Sequence, residues 1–136
     1  MNNPVLLKIN WLYHSLKEQY RFINSLFKCL SNDPMLKDAV EREFYYYKTS
    51  LVLFKKSMNL FSESLNANYF TKVRVDNIKE LYLRRCLINL NKSLELFAYE
   101  KDARIKANPL IQDIAGKISV LIGSVKELGR SLECIL

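Results

Sequence analysis

Apolar residues recur along this chain in steps of four and three, in four separate runs. The first is Val5, Ile9, Leu12, Leu16, Gln19, Ile23, Leu26 and Leu30, flanked by a line at intervals of seven: Leu6, Tyr13, Tyr20 and Phe27. Such steps return side chains to one face of an α-helix, and two adjacent lines make a stripe broad enough for a bundle core. The second run is Val40, Phe44, Tyr47, Leu51, Phe54, Met58, Phe61 and Leu65. Leu83, Leu87, Leu90, Leu94 and Phe97 form the third. The fourth is Ile111, Ile114, Ile118, Leu121, Val125, Leu128, Leu132 and Ile135.

Three of these runs are preceded by a capping residue and a proline: Asn3-Pro4, Asp33-Pro34 and Asn108-Pro109. Asn or Asp accepts a hydrogen bond from the unpartnered N–H groups of the first turn, and proline at the first helical position gives up an N–H that had no partner. With a further start near Asp76, the pattern predicts helices over about 3–30, 34–65, 76–106 and 109–136 in one domain, 1–136. The charged stretch at the end of the third is expected to fray, and Asn66 to Asp76 reads as the one long connector. Long helices joined mainly by tight turns imply an all-α fold, an antiparallel four-helix bundle. The start Asp33–Asp38 resembles Asn108–Asp113 at a spacing of 75, which hints at a duplication, although shared capping rules explain it equally well.

Composition supports this picture. The 136 residues include only three glycines and three prolines, too few for a β-rich fold with many turns. The balance of 21 basic to 14 acidic residues gives +7, which favours polyanionic partners. Cys29, Cys86 and Cys134 form an odd set without metal-ligand or redox spacing, so reduced thiols in a cytoplasmic setting are expected. No basic leader followed by an apolar core opens the chain, and no run approaches the ~20 apolar residues of a membrane span.

Motifs that would carry catalysis are missing from the sequence. The single histidine, His14, sits one turn before Glu18 and cannot supply a di-metal bundle site, so an exposed pair is expected. No serine occupies a G-x-S-x-G turn, no cysteine has a second histidine to serve as base, and no glycine-rich loop could cradle phosphate. The acidic pairs Glu41 with Glu43 and Asp38 with Glu41 read as solvated helix flanks. No catalytic residue, metal, cofactor or small-molecule substrate is therefore assigned.

Two surfaces stand out instead. Tyr45, Tyr46, Val52, Leu53 and Leu60 lie off the main seam of the second helix, giving it a second apolar side suited to docking protein or another copy. Lys48, Lys55, Lys56, Lys72, Arg74, Lys79, Arg84 and Arg85 suggest a basic ridge, with Tyr69, Phe70 and Tyr82 interleaved, that would lie along a nucleic-acid backbone. No acid occurs between Phe44 and Ser62, and no pattern for base-specific reading is present. Ala115, Gly116, Ser119, Gly123 and Gly129 give the last helix a face of small residues, open to close approach by another backbone. The expectation is a non-catalytic helical subunit of a larger assembly. By analogy of size, charge and helicity, a small subunit of a ribonucleoprotein effector complex has this character. The alternative is a pure protein-binding bundle, an adaptor or a viral or mobile-element inhibitor of a host protein, with incidental charge.

Overall fold

The computed structural model describes residues 3–135, and every regular element among them is helical. The order is α1 (Pro4–Leu30), α2 (Pro34–Ala39), α3 (Glu41–Asn66), α4 (Lys72–Asp76), a π-helical segment (Asn77–Leu83), α5 (Arg84–Ala98), α6 (Ala103–Lys106) and α7 (Pro109–Leu132). The Asn3, Asp33 and Asn108 side chains each accept from two N–H groups of the helix they open. Among the described residues, no helix is long and apolar enough to cross a membrane.

Several boundaries depart from the sequence reading. The expected helix over 34–65 breaks at Val40, whose backbone (φ −111°, ψ 20°) leaves the helical region while its side chain enters the core. The third long helix begins at Lys72 rather than near Asp76, because Thr71 caps it by accepting from Arg74 N. That helix ends at Ala98; Asp102 then caps the short α6 by accepting from Arg104 N. Those bonds, with the Arg104 guanidinium beside them, hold the Asp102 carboxyl below its usual range. The last helix stops at Leu132, and Leu136 lies outside the described residues.

Between α4 and α5 the buried residues run Val75, Ile78, Leu83, Cys86, Leu90. The step of five from Ile78 to Leu83 does not fit an α-helix. The π turn absorbs it: the Arg84 N–H bonds the Lys79 carbonyl, five residues back, and both flanking helices keep their apolar faces inward.

Aromatic rings join α1 to α3. Tyr13 stacks on Phe61 at 5.1 Å, Tyr20 meets Phe54 at 5.0 Å, and Phe27 meets Tyr47 at 5.0 Å. As the numbers rise on α1 they fall on α3, so the two helices run antiparallel. α3 packs chiefly on α5 and the π segment, while α7 packs on α1 and α5.

The buried side of α3 keeps Tyr47, Leu51, Phe54 and Phe61 of the expected run and adds Glu43, Ser50, Leu53, Ser57 and Ser64, which that run did not include. Phe44 is exposed and Met58 and Leu65 are only half-buried. Serines at intervals of seven present little bulk to α5, which allows close approach. Each donates back to its own helix, to the carbonyls of Tyr47, Phe54 and Leu60 at 2.6–2.8 Å. Ser93 of α5 donates across to the Glu43 carbonyl at 2.8 Å. Because the Ser50 proton is engaged, the Tyr20 hydroxyl donates to Ser50 Oγ (3.2 Å) and accepts from the Cys86 thiol (3.2 Å). Burial pushes that thiol up to about 12.

Glu43 corrects the reading of solvated acidic flanks: it is 5% exposed, and burial raises its carboxyl, with Glu100 nearby adding to the shift.

Candidate interaction surfaces

The outward side of α3 follows from helical geometry. Tyr45, Lys48, Val52 and Lys55 stand three and four apart and share one stripe, with Lys56 at its edge; together they span roughly 100° of the helix. All five are exposed, Tyr45 by 64% and Val52 by 52%. Lys48 Nζ lies 5.7 Å from the centre of the Phe44 ring. Among the described residues none of these lysines forms an ion pair. The exposed apolar and basic residues that the sequence suggested as two separate surfaces therefore meet on one.

Leu53 does not belong to that surface. It is 5% exposed and part of the core, Leu60 packs against the core, and Tyr46 is half-buried. Leu53 lies three residues after Ser50 and four before Ser57, so it shares the face that α5 covers. The expected docking stripe of five residues thus reduces to Tyr45 and Val52.

The basic ridge also divides. Arg74 is half-buried: its guanidinium donates to Ser64 Oγ at 3.1 Å and lies 4.9 Å from the centre of the Tyr69 ring, tying α4 to the end of α3. Lys79 pairs with Glu133 at 3.2 Å, and Arg84 with Glu80 at 3.3 Å. Both line a groove of about 440 Å³ between α5 and α7, where Lys126 and Arg130 join them. Arg85, one residue on, projects about 100° away, toward the α3 side. Lys72 is exposed at the start of α4. Arg84 lines this groove and Arg85 does not, so the two do not form one ridge, and sequence proximity did not show that α7 supplies two further cations to the groove.

His14 and Glu18 are both exposed, as the sequence suggested, and Glu18 pairs with Arg21 at 3.1 Å. Among the described residues no three His, Cys, Asp or Glu gather to hold a metal ion. Comparison of the chain with family models, curated proteins and solved structures finds no match.

Proposed function

We propose that this chain is an antiparallel four-helix bundle that acts as a non-catalytic subunit, binding a polyanion along the outer arc of α3. The observation that carries this reading is the set of cations Lys48, Lys55 and Lys56, unpaired among the described residues, on a stretch of α3 with no acid from Phe44 to Ser62, beside exposed Phe44 and Tyr45. Glu41 and Glu63 stand on the same side, one turn before Tyr45 and two turns after Lys56. Cations at this spacing neutralise successive phosphates of a nucleic-acid strand, and exposed rings stack on its bases without reading them. Arg85 and Lys72 are secondary contacts, whereas Arg74, Lys79 and Arg84 serve the fold.

Val52 favours a second reading. An exposed aliphatic side chain among lysines offers nothing to a phosphate, but it suits the apolar stripe of an acidic amphipathic helix from another protein.

Titration of labelled single strands over a range of salt separates the two. Each phosphate contact to a single strand contributes about 0.7 to the slope of log affinity against log salt, so replacing Lys48, Lys55 and Lys56 by Ala should lower it by roughly 2. Val52→Ala should leave strand affinity unchanged. A triple variant that binds strands like the wild type overturns the nucleic-acid reading and leaves the acidic helix as partner.

A further inference from the structure

The outward sides of α1 and α7 enclose an apolar groove of about 660 Å³ that the surfaces above do not use. Trp11, the only tryptophan, is 66% exposed at one end of it; Phe22 and Val120 line it, and Leu7 is exposed one turn before Trp11 on α1. On α7, Gly116 and Gly123 flank Val120 on one stripe, and a Cβ at either would meet nothing within 4 Å among the described residues. Packing within the chain therefore does not require glycine there.

The charges around the groove are already satisfied. Lys8 pairs with Glu127 at 4.0 Å, Glu18 with Arg21 at 3.1 Å, and Lys117 with Asp113 at 3.8 Å. Lys117 Nζ also lies 5.7 Å from the centre of the Phe22 ring. Among the described residues that border the groove, a polyanion finds no cation without an acidic partner, and a basic partner finds no carboxylate without a basic one. In a chain of net +7, two copies repel across most of their surface, and this balanced face lets them approach without opposing unpaired like charges.

We infer that the chain pairs with a second copy of itself across the α1–α7 face. A two-fold axis passing between Ser15 and Glu18, with the two α1 helices antiparallel, sets Trp11 of each copy opposite Phe22 of the other. The positions sum alike, 11 with 22 and 15 with 18, as an isologous contact requires, and Ser15 leaves room between the rings. A face two helices wide along the 27 residues of α1 measures roughly 40 by 20 Å, about the 800 Å² that each partner buries in a stable pair.

Sedimentation equilibrium of the full chain over a dilution series tests this, with Trp11 emission recorded in parallel. The wild type should reach twice the mass of one chain, and its emission should shift to the blue as pairing covers the indole. Phe22→Glu should halve the mass and hold the emission red at every concentration, with unchanged far-UV dichroism; Val120→Glu should behave alike if the first variant does not fold. The Lys48, Lys55, Lys56 triple-Ala variant should pair like the wild type. A wild type that stays at the mass of one chain with fixed emission overturns the inference, as does pairing that survives Phe22→Glu in a folded chain.

Discussion

Glu43 begins the inward seam of α3 and yields a pH signature. Burial penalises its charged form, so the native chain holds this proton to higher pH than the unfolded chain does. The stability this contributes is complete below the ordinary value of 4.5 and is lost as pH rises through the raised native value. Glu43→Gln should match the wild type in urea midpoint below pH 4.5 and exceed it near neutrality. Parallel curves would show that the carboxylate ionises in the native state at no cost. The residue was not legible as a core position because an acid beside Glu41, at the start of a helix, reads as a flank; only the heptad through Tyr47, Ser50 and Phe54 reveals its direction. The same omission placed Leu53 on the surface. A search for large apolar residues passes over Ser50, Ser57 and Ser64, and without them the face that α5 covers cannot be located.

At the scale of elements, small size rather than polarity is what the serine seam requires. Ser57 is fully buried, and its hydroxyl donates to the Phe54 carbonyl of its own turn. Ser57→Ala should therefore change stability by at most about 1 kcal/mol, whereas Ser57→Leu should force α3 and α5 apart and cost about 1–3 kcal/mol in urea unfolding. Equal effects of the two would show that the bond matters and the closeness does not. The starts at Pro4, Pro34 and Pro109 were legible because a cap followed by proline is a local signal, whereas those at Glu41, Lys72 and Ala103 carry no proline and were missed. The ring lines Tyr13–Tyr20–Phe27 and Tyr47–Phe54–Phe61 were legible because they obey the helical period. The π segment obeys no period and was missed, although the step of five from Ile78 to Leu83 records it. Deleting exposed Leu81 turns that step into four. The shortened chain should fold with its helical dichroism intact, with α4 and α5 merged into one α-helix. Loss of cooperative unfolding would show that the π turn is required. The division of the basic residues was legible in no part of the sequence, since it depends on which helix lies beside α5.

For the molecule as a whole, the inferred pairing across α1 and α7 would leave both α3 arcs uncovered, and a strand long enough to reach both would meet two sets of lysines. Binding should then be tighter than a single chain allows, by an effective-concentration gain that Phe22→Glu abolishes without touching any lysine. The titration of that variant beside the wild type measures this directly. The contact between α1 and α7 also bears on the order in which the chain acquires its structure. The two helices lie side by side, with Gln19 bonded to Ser124, yet 78 residues separate Leu30 from Pro109. On a ribosome extending the chain at about 5–20 residues per second, α1 waits roughly 4–16 s for that neighbour. Through those seconds the stripe of Leu12, Leu16 and Ile23 around Gln19 has nothing from α7 to cover it, so the nascent chain exposes an apolar helix face of the kind that chaperones hold.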